Sequence, residues 1–181
     1  MTINMNISIQ NLQKKVPVPS KKIIQTIHIV VGAIRRIART YTDISIVFVG
    51  PQRMRRMNRE YLGHDDPTDV LAFDYKDMSF PRKRESRTSG SPINTFGDDK
   101  LFGEIVICPS MAQINAKKYQ TTTEHELLLY VIHGLLHLAG YDDHKSQDMA
   151  RMRRKEAELL KNIVVPVPPW RDYREPRTCK H

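Results

Sequence analysis

Residues 121–144, TTTEHELLLYVIHGLLHLAGYDDH, constrain this chain more than any other stretch. Leu127, Leu128, Val131, Ile132, Leu135, Leu136 and Leu138 recur at helical spacing and predict a helix that is buried on most sides. Thr123 and Glu126 have the S/T-x-x-E spacing of a capping box, and Gly140 stands where a helix ends. Such a helix belongs at the centre of a domain, with the other elements around it. His133 and His137 interrupt the apolar run four residues apart, so they share one face. Each buried imidazole needs a polar partner. Two core histidines with separate hydrogen bonds would satisfy that need, but one metal ion, usually zinc, would serve both at once. The following turn adds Asp142, Asp143 and His144 as further donors. Gly134 occupies the position that a glutamate holds in the zinc-protease pattern H-E-x-x-H, which argues against peptidase chemistry. A glycine there also lets a substrate or another backbone approach closely.

Around this helix the sequence predicts an α+β fold. It has a small, mostly mixed sheet of about four strands packed with about five helices. Alternating or apolar runs place strands at 6–10, 43–49, 70–75 and 101–108. Helical periodicity covers 21–40, with Ser20 as its cap, then a segment after Pro51, a segment after Pro109, and 145–163. In the Pro51 helix, Met54, Met57 and Tyr61 face inward. Arg53, Arg55, Arg56 and Arg59 face mostly outward, where they are either a solvated face or contacts for RNA phosphates. The chain reads as one domain over 1–163, with a basic, Arg/Ser/Gly/Pro-rich insertion at about 76–100 and an irregular proline-rich basic tail over 164–181.

A net charge of +9 favours a polyanionic partner, with nucleic acid the default. No apolar run approaches the roughly 20 residues that a membrane helix needs. The N-terminal MTINMNISIQ is polar and lacks a signal-peptide core, so a cytoplasmic location is expected. Cys108 and Cys179 have no C-x-x-C neighbours and read as free thiols.

HGLLHLAGYDDH resembles the signature of the YbeY family of single-strand-directed endoribonucleases in rRNA maturation. MNREYLGHDDPTDVLAF at 57–73, FGEIVI at 102–107, and Met152 with Glu156 extend the likeness from about residue 43 to about residue 160. The resemblance implies one Zn2+ per chain, held by His133, His137 and a third ligand. That ligand is Asp143 by the family's spacing or His144 by residue type. It also implies rRNA near the small-subunit 3′ end as substrate, the ribosomal small subunit as partner, a role in ribosome quality control, and no membrane or nucleotide cofactor. Thr68 and Asp69 are expected beside the site, on an edge strand. Leu62 stands where the family usually carries a catalytic arginine, and Arg59, one helical turn earlier, is a candidate substitute. Glu104, in place of a family Asp, is a second catalytic candidate, able to orient water or act as a weak base. The alternative reading is a non-catalytic, metal-stabilised ribosome-assembly factor.

Overall fold

The computed structural model describes residues 5–75 and 102–163; the insertion and the tail lie outside the described residues. The strand-like runs become β1 (Asn6–Asn11), β2 (Asp43–Phe48), β3 (Val70–Asp74) and β4 (Phe102–Ile107). They form one sheet in the order β1-β2-β4-β3. β1, β2 and β4 run parallel, while β3 pairs antiparallel with β4 and forms one edge. The helices are α1 (Ser20–Ala33), α2 (Arg35–Thr40), α3 (Pro51–Leu62), α4 (Pro109–Lys118), α5 (Thr123–Leu138) and α6 (Ser146–Lys161). A mixed four-stranded sheet with six helices among the described residues is the α+β architecture the sequence predicted.

All six residues of β2 are buried, as a parallel interior strand requires when both faces of its sheet are covered. Ile44, Ile46 and Phe48 join Ile105 and Ile107 of β4 in one core, shared with Ile23, Ile27 and Val30 of α1 and the apolar residues of α5. On the other face Val47, Val106 and Leu71 meet Met54 and Met57 of α3. The period of two along β4 therefore sends Ile105 toward α5 and Glu104 toward α3.

Three boundaries differ from expectation. The helix predicted over 21–40 breaks at Ile34, whose φ of −117° and ψ of 79° are not helical. Ile34, at the break, and Ile37, just after it, both lie in the core. Ser20 is the first residue of α1, after Pro19, and not a cap. In α5 the cap is Thr122, whose hydroxyl accepts from the His125 N–H at 3.0 Å. Glu126 instead accepts from the Thr121 hydroxyl, so the reciprocal box on Thr123 does not form.

α5 lies hard against β4. A β-carbon at Gly134 would stand 2.6 Å from Ile105 Cγ2 and 3.0 Å from its Cδ1. Ile105 is β-branched and has little rotamer freedom with which to retreat. Gly134→Ala is therefore expected to lower stability by about 1–3 kcal/mol, the usual cost of overpacking. Adding Ile105→Ala should cost less than the two single changes combined, as a double-mutant cycle by denaturant unfolding would read.

Candidate metal centre and its cleft

The C-terminus of α5 shapes the site. Gly140 adopts a φ of +82°, and the chain closes a Schellman turn around it. The Tyr141 N–H donates to the Leu136 carbonyl at 3.0 Å, and the Gly140 N–H to the His137 carbonyl at 2.8 Å. That reversal brings the Tyr141 carbonyl to His137 Nδ1 at 3.1 Å. Asp142 Oδ1 then accepts the N–H groups of Asp143, at 2.8 Å, and His144, at 3.2 Å. This Asx-type turn carries Asp143 back under the helix.

His133 Nε2 and His137 Nε2 face each other at 3.0 Å. Asp143 Oδ2 lies 3.8 Å from the first, and Oδ1 lies 3.9 Å from the second. His133 Nδ1 meets Glu156 Oε1 of α6 at 2.7 Å. A carbonyl and a carboxylate are acceptors only. Each imidazole must therefore donate Nδ1–H, so in the neutral rings both Nε2 atoms present lone pairs. Two lone pairs 3.0 Å apart repel unless a cation or a proton lies between them. Donors bound tetrahedrally at zinc distances stand roughly 3.3 Å from one another. The spacings here, from 3.0 to 3.9 Å, fit such an ion. The two Nδ1 acceptors are the outer partners that orient imidazole ligands and raise their basicity. Burial pulls the His133 pKa down. The Glu156 hydrogen bond and charge, aided by Asp69 and Asp143, outweigh burial and leave it raised.

The structure brings Asp143 together with His133 and His137, with its side chain 8% exposed. The His144 side chain is 67% exposed and faces Asp142 at 3.8 Å. His144 still lines the same open cleft as the two histidines, and its ring nitrogen groups with Asp142 and Asp143.

Thr68, Asp69 and the edge strand β3 form another wall of that cleft. The 63–69 turn is tied back to α3 by Arg55 on Asp65, at 2.6 Å, and by Asn58 on the Asp66 carbonyl, at 2.7 Å. The Cys108 N–H donates to the Asp69 carbonyl at 2.9 Å and fixes the start of β3 against the end of β4. Asp69 Oδ1 accepts from the Val70 N–H at 3.0 Å and from the Thr68 hydroxyl at 3.2 Å.

The other candidates lie elsewhere. Glu104 is buried on the α3 face of the sheet, the side away from α5, and accepts from the Tyr75 hydroxyl at 3.1 Å. Arg59 is exposed and lies 3.5 Å from Asp65. Neither lines the cleft that holds the histidines. Arg53 and Arg56 line a separate hollow with Lys15 at the start of α3. Glu156 is the site residue that local sequence reasoning passed over, although a buried Glu within the Met152, Leu159, Leu160 stripe is a visible signal.

A buried helix carrying two facing imidazoles, joined by a loop carboxylate and open to a cleft, is the arrangement of a metal-dependent hydrolase. A sequence profile described as Endoribonuclease YbeY matches residues 8–164, and the chain belongs to that family. It is 38% identical over 121 residues to the Endoribonuclease YbeY of Chlorobium luteolum, covering 67% of this chain and 74% of that one. It is 33% identical over 173 residues to that of Thermodesulfovibrio yellowstonii, covering 89% of this chain and 99% of the other. The solution structure of TM1509 from Thermotoga maritima superposes with a TM-score of 0.50 at 25% identity, covering 87% of this chain and 88% of that one.

Two outcomes test this geometry. Asp143→Ala should lose zinc at chelator concentrations that His144→Ala withstands, and Glu156→Ala should weaken zinc by roughly 10–100-fold, as loss of an outer partner does; competition with a chromogenic chelator reads all three. Burial, only partly offset by the Tyr75 hydroxyl and by Arg53, raises the Glu104 pKa above 4.5. A raised folded-state pKa means the native chain holds its proton longer, so stability is lost as pH climbs through that folded value. Glu104→Gln should remove this fall and unfold at a higher temperature than the parent at neutral pH.

Proposed function

We propose that this chain is a zinc-dependent, single-strand-specific endoribonuclease of rRNA maturation, acting near the 3′ end of small-subunit rRNA and in ribosome quality control. Its family makes it a nuclease that hydrolyses RNA phosphodiester bonds. Its partners would be single-stranded rRNA and the ribosomal small subunit, and its location the cytoplasm. No helix among the described residues is long and apolar enough to cross a membrane.

The observation that carries this reading is the pair of Nε2 atoms at 3.0 Å, beside a carboxylate and on an open cleft. His133, His137 and Asp143 would hold the ion. Zinc in such a site supplies a Lewis acid and a bound water of lowered pKa. The chain supplies the rest. Glu156 and the Tyr141 carbonyl keep each ring turned with Nδ1–H outward from the metal side. Asp69 spends Oδ1 on Thr68 and Val70, and its Oδ2 would accept a proton from the water that attacks phosphorus. Arg53, Arg55, Arg56 and Arg59 would carry phosphates along α3. The Asp65 pairs do not bar Arg55 and Arg59 from this role, because exposed ion pairs are weak and screened by salt. Arg59 lies outside the cleft wall, and its contribution would be to binding.

The test is cleavage of single-stranded rRNA fragments by the zinc-loaded chain. His133→Ala and His137→Ala are expected to abolish cutting, and chelation should do the same reversibly. Asp69→Asn should lower kcat by on the order of 10²-fold or more with zinc retained, the range for loss of a proton acceptor. Full cutting by the zinc-free chain would defeat this reading.

A further inference from the structure

Tyr61 lies in the last turn of a helix whose Met54 and Met57 are buried, yet it is 59% exposed, and Leu62 beside it is 49% exposed. The sequence had placed Tyr61 inward. Among the described residues the other large exposed apolar side chains, Leu12, Ile24, Ile29 and Ile114, are spread over other elements and need no explanation. Tyr61 and Leu62 are different: they are adjacent, and both line the cleft that contains His133 and His137.

The Tyr61 ring is braced from below. It meets Phe73 edge to face, with centroids 4.9 Å apart and planes at 65°. Phe73 in turn stacks on Tyr75, at 6.3 Å and 30°. Tyr75 is anchored by its hydroxyl on buried Glu104 at 3.1 Å. Three rings in a row, fixed at the far end and open at the near end, make a platform and not a core. The platform starts at the edge strand β3, which has no neighbour on its outer side among the described residues.

We infer that Tyr61, supported by Phe73 and flanked by Leu62, is a stacking subsite for one unpaired nucleobase of the RNA strand whose backbone enters the metal cleft. The inference rests on the RNA-cleaving reading of the site and names the contact that selects single strands. A flat apolar guest suits an exposed ring beside a leucine, and the same helix carries Arg55 and Arg59, both exposed and paired with Asp65. A base can lie face-on against a tyrosine only if it is out of a duplex. Stacking of this kind accepts any base, so the subsite gives preference for strandedness without sequence choice.

The experiment uses the zinc-loaded full chain and a short 2′-O-methylated oligoadenylate, with a matching strand whose central positions are abasic, read by fluorescence anisotropy. Wild type should prefer the base-bearing strand. Tyr61→Ala should lose on the order of tenfold in affinity for it, within the range for one stacked base. Tyr61→Trp should keep that affinity, and the abasic strand should bind wild type and Tyr61→Ala alike, with zinc content unchanged. If Tyr61→Ala matches wild type on the base-bearing strand, or weakens both strands equally, the subsite is wrong. A wild type that cuts RNA without preferring the base-bearing strand overturns the subsite alone. A wild type that neither binds nor cuts RNA overturns the function as well.

Discussion

Two imidazole nitrogens held 3.0 Å apart with their lone pairs facing repel unless a proton or a cation lies between them, and much of the surrounding structure serves to hold them so. Each ring is clamped through Nδ1 by a different element. Glu156 arrives from α6, and the Tyr141 carbonyl arrives from the turn that ends α5. These acceptors fix ring orientation and tautomer before any ion is bound. The arrangement is electrostatically expensive without a cation, because Glu156 and Asp143 also bring carboxylates into a mostly buried region. A divalent ion reverses the sign of that cost, since every donor already points at it.

The helix that bears the rings must itself be rigid. Its burial on nearly every side provides that, and Gly134 lets it approach β4 more closely than any other residue would allow. Gly134 therefore has a structural reason to separate the two halves of the histidine pair. It leaves no carboxylate beside His133 on α5, and the fold brings Asp69 to the cleft from another element, held at the start of β3 by the Cys108 N–H at the end of β4.

The parts legible in the sequence were those set by local periodicity. α5 showed itself by its apolar spacing, β2 by a run suited to burial on both faces, and β3 by its place after the Pro-Thr-Asp turn. What stayed hidden depended on partners far along the chain. The break at Ile34 has no proline or glycine at the break itself, and the apolar spacing of Ile34 and Ile37 would equally fit an unbroken helix, so nothing local in the sequence marks it. Spacing pointed to Asp143 and residue type to His144, but where each side chain goes depends on the Schellman and Asx turns, which set Asp143 beside the two histidines and leave His144 in solvent. Glu156 was noted only for the family likeness, because its partner His133 lies 23 residues away. Glu104 was read as a candidate from strand alternation and family likeness. Alternation also puts it on the face opposite α5, a conclusion available only once α5 has been assigned to a face.

Tyr61 was misread because α3 was treated as amphipathic to its last turn. Met54 and Met57 pack against Val47, Val106 and Leu71 of the sheet, whereas Tyr61, in the last turn, meets Phe73 of the edge strand edge to face and stays largely exposed. Here that exposure coincides with Leu62, at a place where the family pattern usually carries an arginine. The two features have a common consequence. Without a cation at that point, the wall beside the histidine pair is apolar and aromatic, a surface that suits a flat ring better than a charged group.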